Sequence, residues 1–448
     1  LENCNPDHPM VRYVLRKVRA EQGLRLKDLE DYQISSASIS NLERGEVKTR
    51  DGTFEYLLKK LGLNQKKLRE LVENEKEEIE ELQFTLECVE SLLEQGINEP
   101  AIKQLEQIQL EDFHPLISYF CYLEGYYNRR LKNWPQARKS FQKGIRLCSQ
   151  HNLKPQDNIL AACYNQLSIC SYNQHNFSQA IAFADQGLKV FDDTLKREDI
   201  QYSLQSNKIL YLIKSSQMNY AAQTLDKLWN SIDKIKRKVV VITLHKFQSI
   251  ILRSWGMYPK ATMICEEGIR FASINGFQDQ QLDILNILGS ILLEQNELHK
   301  AKKRFQMVLL MDQKLDFPFV HIDAHTYLAI LHSKQKDWQT AESHATSAIE
   351  MSRKITNDFR LAKASIVKGD ILCKQMKWEQ AIPFYQETIK ITTKHGFINR
   401  KYTALSRLSR CFDVLNNHVE LITCMKQMLE IQNDLKITSE EDEIYDFF

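Results

Sequence analysis

Apolar residues at Val11, Val14, Leu15 and Val18 recur three and four apart, the spacing of one buried helical face, and Gly23 marks the end of that helix. The stretch LKDLEDY (Leu26–Tyr32) predicts a short second helix. A third follows in QISSASISNLERG (Gln33–Gly45). There Ile34 turns inward, Ser35 is placed as the N-cap, Ile39 and Leu42 share the core face, and Gly45 stops the helix. TFEYLLKKLG and QKKLREL supply a fourth and a fifth helix.

Further on the pattern becomes a repetition. NWPQA (Asn133–Ala137), NFSQA (Asn176–Ala180), MYPKA (Met257–Ala261), ELHKA (Glu297–Ala301), DWQTA (Asp337–Ala341) and KWEQA (Lys377–Ala381) each place an aromatic residue or Leu, two mostly polar residues, then Ala. A first copy ends at Ala101, a last at Leu421, and a degenerate one is placed at Asn219–Gln223, giving nine units of about 40 residues. Twelve residues before the anchors lie Gly125, Ser168, Ser249, Gly289, Ala329, Gly369 and Ser409, all small or nearly so, as two closely crossing helices require. Four residues after the anchors come Phe141, Ala184, Cys265, Phe305, Ala345, Tyr385 and Met425, the next turn of the buried face. The copy at Asn219 is the weak one, since Tyr211 and Gln223 break both registers. Gly276 and Gly396 stand where C-caps of the second helices belong. These residues resemble the tetratricopeptide repeat over about Glu99 to Leu435, with units longer than usual. The resemblance implies stacked helix pairs in a right-handed superhelix with a concave inner surface.

Composition agrees with an all-α chain: 14 Gly and 9 Pro in 448 residues are too few breakers for a turn-rich β protein. The net charge of +2 conceals an asymmetry. Met10 to Glu70 carries 14 Lys and Arg against 9 Asp and Glu, whereas Glu73 to Glu81 has six Glu and one Lys. A basic head and an acidic segment after it predict a nucleic-acid contact confined to the N-terminus. The acidic run is read as a solvated linker helix, with a contact to the basic head as the alternative. Ten scattered cysteines without C-x-x-C spacing read as reduced thiols of a cytoplasmic protein. No apolar run is long enough to span a membrane.

A short helix, a tight turn and a third helix rich in small residues match helix-turn-helix geometry, with the third helix for the major groove. ISSASISNLERG resembles the recognition helix of the lambda-repressor-like (Xre-type) family. That resemblance implies base contacts from Ser36, Ala37 and Asn41, with Ser40 adjacent, and phosphate contacts from Ser35 and Arg44. Where the family often has Thr-Gln, this chain has Arg25-Leu26, so that phosphate contact passes to Arg25 or Lys27.

An Xre-type head followed by a long repeat array resembles the RRNPP family of peptide-pheromone receptors, in its long, nine-repeat neutral-protease-regulator and arbitrium-receptor branches. The resemblance implies a quorum-sensing transcriptional regulator, a homodimer that binds double-stranded operator DNA and a short signalling peptide. The alternative is a repeat scaffold that binds and inhibits a response regulator or phosphorelay protein, with or without a DNA-binding role. The expected organisation is a tail (1–9), a helix-turn-helix domain (10–72), an acidic linker helix (73–98), a repeat domain (99–435) and an acidic tail (436–448).

Helix positions flanking the small residues line the inner face of such arrays. They place Tyr122, Tyr126, Arg129, Asn165, Tyr172, Asn207, Lys246, Arg253 and Asn286 there as peptide contacts, with Tyr119, Tyr211, Asp370 and Arg410 beside them. An Asn side chain both donates and accepts, so Asn165, Asn207 and Asn286 suit clamping of a peptide backbone, a use the family resemblance also implies. Arg129, Lys246 and Arg253 suit a peptide carboxylate. His321, His325 and His332 share one helix, but two of them fall where core aromatics belong, and a metal is not expected. No phosphate loop, H-E-x-x-H or nucleophile elbow is present; neither catalysis nor a cofactor is expected.

Overall fold

The computed structural model describes residues 5–46, 51–153, 155, 157–314 and 316–434; Cys4 and the acidic tail lie outside them. Among these residues the chain is all-α, the one β contact being an isolated bridge between Asp157 and Lys196. It divides into two compact units, Leu1–Tyr211 and Leu212–Phe448.

The first unit opens with α1 (Pro9–Glu21), a 3₁₀ turn (Leu26–Leu29), α2 (Ser36–Arg44), α3 (Asp51–Lys60) and α4 (Gln65–Glu94). Val11, Val14, Leu15, Ile39, Leu42, Leu57 and Leu68 close one core in this head. The 30-residue α4 continues without a break into a second core, where Leu86, Val89 and Leu93 meet Ala101 and Phe141. One helix therefore serves both as the last helix of the head and as the first helix of the repeats. The acidic run lies mid-way along it, and Lys17 of α1 pairs with Glu75 and, at 3.7 Å, Glu78. After it come α5 (Asn98–Glu106), α6 (Ile117–Arg130), α7 (Trp134–Gln150), α8 (Ile159–Asn173) and α9 (Phe177–Val190), then α10 (Ile200–Lys214), which crosses into the second unit.

The second unit holds α11 (Met218–Trp229), α12 (Lys238–Ser254), α13 (Tyr258–Ile274), α14 (Gln278–Glu294), α15 (Leu298–Met311), α16 (Pro318–Lys334), α17 (Trp338–Lys354), α18 (Asp358–Lys374), α19 (Trp378–His395), α20 (Ile398–Val414) and α21 (His418–Asp434). From α4 and α5 onward the helices alternate as A and B members of nine tetratricopeptide-like pairs.

Every turn within a pair reverses through a left-handed residue: Gly96, Lys132, His175, Ser216, Gly256, Asn296, Lys336, Met376 or Asn416. Each stands five positions before its anchor, and the alanine anchors are completely buried. This register corrects the reading of the fourth repeat. Its anchor is Ala221, not Gln223, five residues after Ser216. Its departure from the pattern is Ile209 in the small-residue place, which is buried. Tyr211 is no register break either: it is buried and its hydroxyl hydrogen-bonds Ser168 Oγ at 3.0 Å.

In three pairs the glycine of helix A faces the aromatic residue four positions past the anchor. A Cβ on Gly125, Gly289 or Gly369 would stand 2.5, 2.4 or 2.6 Å from the ring of Phe141, Phe305 or Tyr385. The ring occupies the space a Cβ would take, and that lets the two helices of the pair approach closely.

Candidate functional site

On the head, Ser35 caps α2 by accepting the Ser38 N–H at 3.1 Å, and Gly45 ends it at φ +69°. Ile39 and Leu42 hold one face in the core, so Ser35 and Ala37 stand exposed and Ser36, Ser40, Asn41 and Arg44 are half-buried. Arg25 and Lys27 are exposed, and Arg25 bonds to Asp28 at the start of the 3₁₀ turn (3.2 Å). Glu43, its side chain buried, is taken up by Arg19 (2.6 and 2.8 Å), which ties α2 to α1.

The far end of α2 is docked. Asn152 donates to the Arg44 carbonyl at 2.9 Å, Arg16 sits 4.1 Å over the Phe113 ring, and Tyr13 meets His114 edge-on. Sequence reasoning missed Asn152 and Phe113, since no local pattern connects a turn between repeats to the head.

Among the first unit's repeat residues, Tyr122 is buried beside Phe141, while Tyr126 and Arg129 are half-buried with the guanidinium 4.6 Å from the Tyr126 ring. Tyr172 stacks on Tyr211 with ring centroids 5.3 Å apart. Asn207 Nδ2 donates to Asn165 Oδ1 at 2.9 Å, so these two amides meet. Near them is a cluster the sequence did not disclose. Arg197 makes two 2.7 Å bonds to Glu90 and a third to Asp157, and the Tyr119 hydroxyl donates to Glu90 at 2.6 Å. Burial opposes ionisation of Glu90, but Arg197 and the tyrosine hydroxyl outweigh it and hold its pKa below its ordinary value.

The second unit contains a groove of about 1040 Å³ along the C-terminal ends of α12, α14, α16 and α18 and reaching α20. Arg253, Lys334, Lys374, Arg407 and Arg410 line it against only two carboxylates, Glu294 and Asp370. Both carboxylates are engaged: Glu294 with Arg253 (3.5 Å) and Tyr258 (3.1 Å), Asp370 with Tyr385 (2.7 Å) and Arg407 (3.4 Å). Lys334 and Lys374 reach neutral acceptors, the Leu293 carbonyl and Ser333 Oγ, each at 3.4 Å. Arg410 pairs with no carboxylate among the described residues. Ile330, Val367, Ile371 and Trp378 supply apolar wall.

Of the residues proposed from sequence in this unit, Arg253 lines the groove, as do Asp370 and Arg410. Asn286 and Lys246 do not. Asn286 is buried, its Nδ2 donating to the Val320 carbonyl at 2.9 Å, and Lys246 pairs with Asp283 at 2.6 Å. His321 pairs with Asp312 (3.2 Å), and His325 meets His344 on the neighbouring helix (2.8 Å). No group of three or more metal-ligating side chains occurs among the described residues, and no helix there is long and apolar enough to cross a membrane.

No protein-family model matches the sequence, and no curated protein matches it. Solved structures do match in fold. A Rap protein complexed with competence and sporulation factor has a TM-score of 0.59 at 12% identity, covering 80% of this chain and 99% of that one. The apo form of the quorum sensor NprR from B. thuringiensis has a TM-score of 0.57 at 12% identity, covering 73% and 94%. NprR in complex with its cognate peptide NprX has a TM-score of 0.50 at 14% identity, covering 77% and 98%. The chain thus has the fold of these tetratricopeptide-type peptide receptors.

Proposed function

We propose that this protein is a peptide-switched DNA-binding regulator. Its head takes double-stranded DNA through α2, and the groove of the second unit takes a short peptide that carries carboxylates. The observation that carries the reading is the charge of that groove. Its five cations outnumber its two acids, both of which are already engaged, and that excess supports a ligand that brings negative groups. A site of this size with apolar wall between cations suits a segment of several residues. The fold neighbour holding NprX supports a peptide as the occupant.

Asn165 and Asn207 remain the proposed backbone clamps of the first unit, exchanging their mutual hydrogen bond for bonds to a peptide. The polar start of α2, with Ser35 and Ser38 exposed and Ser36, Ser40 and Asn41 half-buried, favours DNA over the second reading, a scaffold for a response regulator, which needs no such surface. A homodimer would present two such helices to one operator.

The test is calorimetry of the full chain with short synthetic acidic peptides bearing free C-termini, beside amidated and lysine-substituted counterparts. Arg410→Glu and Lys374→Glu should each weaken acidic peptides by roughly tenfold or more, since each replaces a charge-assisted bond by repulsion. Unchanged affinity in both variants removes the groove from the proposal.

A further inference from the structure

Cys373, near the end of α18, lines the groove, and its Sγ lies 3.5 Å from Sγ of Cys411 on α20. Cys373 is half-exposed and Cys411 is completely buried. An oxidant in the groove therefore meets Cys373 first, with a second thiol directly behind it. We propose that Cys373 and Cys411 form an oxidisable dithiol site, in which a peroxide attacks at Cys373 and Cys411 resolves the product to a disulfide joining α18 to α20. Neither the peptide nor the DNA reading is needed for this.

The surroundings support the division of roles. Tyr385 has its hydroxyl 3.5 Å from Cys373 and 2.7 Å from Asp370. The hydroxyl donates to the nearer Asp370; as a thiolate Cys373 can only accept, so the Cys411 S–H is then the donor to its sulfur. That hydrogen bond is the chief reason the Cys373 thiol is brought down to about 7 against the opposition of burial, while Cys411 is pushed up. Arg410 also favours the Cys373 thiolate, and Asp370 opposes it. Burial instead pushes the thiols of Cys121 and Cys265 up to about 12 and those of Cys170 and Cys424 to about 11. Reactive cysteines combine thiolate character, access and a neighbouring resolving thiol, and here only the access is limited.

The chemistry balances with the peroxide as oxidant. The Cys373 thiolate attacks one peroxide oxygen, breaking the O–O bond and releasing hydroxide or an alkoxide that takes up a proton. The Cys373 sulfenic acid is then attacked at sulfur by Cys411, the S–O bond breaks, and water leaves with the Cys411 proton. Two thiols lose two electrons and the peroxide gains them. Closing from 3.5 Å to a bond of about 2.05 Å asks for a movement of about 1.5 Å, within the reach of side-chain rotation and a small helix shift.

The experiment uses the reduced full chain, hydrogen peroxide and a non-reducing peptide map read by mass spectrometry. The expected product is the Cys373 peptide linked to the Cys411 peptide with loss of two hydrogens. At neutral pH it should form roughly tenfold faster than exposed Cys88 is oxidised, because the neighbouring Cys411 thiol favours the thiolate at Cys373 and stands ready to resolve its product. Cys411→Ser should leave a Cys373 sulfenic acid that dimedone captures, and Cys373→Ser should leave Cys411 unreacted. If both thiols still alkylate after Cys88 has been consumed, or if Cys373 runs on to the sulfinic acid while Cys411 stays free, the site is overturned. The wild-type map decides this even if a variant fails to fold.

Discussion

His325 shows how much one buried side chain decides. Its Nδ1 lies 2.8 Å from Nδ1 of His344, so one ring must donate there and the other accept, and both cannot be charged at close range. Burial, with the charges of His344 and His321, brings His325 down to about 4. In the unfolded chain it titrates near its ordinary value of 6.5. Between those values the unfolded state binds more protons, so stability rises with pH and is lost as pH falls from 6.5 toward 4. This one group should contribute on the order of 1–3 kcal/mol of that slope. His325→Gln should flatten the pH dependence of the urea midpoint across this window, and an unchanged slope would locate the titration elsewhere. The sequence placed His325 with His321 and His332 on one helix. It did not show His344, which arrives from α17.

At the scale of the element, two glycines of one unit separate backbone strain from packing. Gly256 turns a pair at φ +71° with nothing within 4 Å of an added Cβ, so Gly256→Ala should cost about 1–2 kcal/mol from the left-handed conformation alone. Gly369 is helical, and its added Cβ would strike the Tyr385 ring at 2.6 Å. That ring is completely buried and bonded to Asp370, so it has little room to retreat. Gly369→Ala should cost roughly 1–3 kcal/mol by overpacking. Tyr385→Leu in the Gly369→Ala background should recover part of that loss, while leaving the Gly256→Ala cost unaltered. Denaturant midpoints of the three single variants and of Tyr385→Leu combined with each glycine change check this, and absence of any recovery would separate Gly369 from Tyr385.

At the scale of the whole molecule, the proposed DNA binding needs two heads. One recognition helix reads only a few base pairs, so specific affinity requires a dimer on half-sites about 34 Å apart or a multiple of it. Sedimentation should detect a dimer on DNA, and a protein that stays monomeric at micromolar concentration with operator present would defeat the arrangement. Asn41→Ala should relax preference at one base position by roughly 1–3 kcal/mol. Arg44→Ala should instead weaken all sequences alike and lower the salt slope. A peptide changes this binding only through a different affinity for two states of the protein, and a switch from 1:99 to 99:1 needs about 5.5 kcal/mol of such preference.

Local pattern in the sequence was enough for most of the helices, the alanine anchors and the small residues of most repeats, because 3.6-residue periodicity and close helix crossing act within a single pair; the helix expected over LKDLEDY is only a 3₁₀ turn, Leu26–Leu29. It was enough for Ser35 as cap and Gly45 as stop, which depend on neighbours a few residues away. The same reasoning slipped by two residues at the fourth repeat, where NYAAQ offers adjacent alanines and the deciding left-handed residue, Ser216, carries no sequence signal. Tertiary structure alone decided the rest. Arg197 and Glu90 lie 107 residues apart, and Cys373 and Cys411 are 38 apart on different helices. The groove is cationic because Glu294 and Asp370 are already engaged, which depends on where side chains from successive helices meet. Periodicity specifies which face of a helix is buried; only packing specifies which distant groups share it.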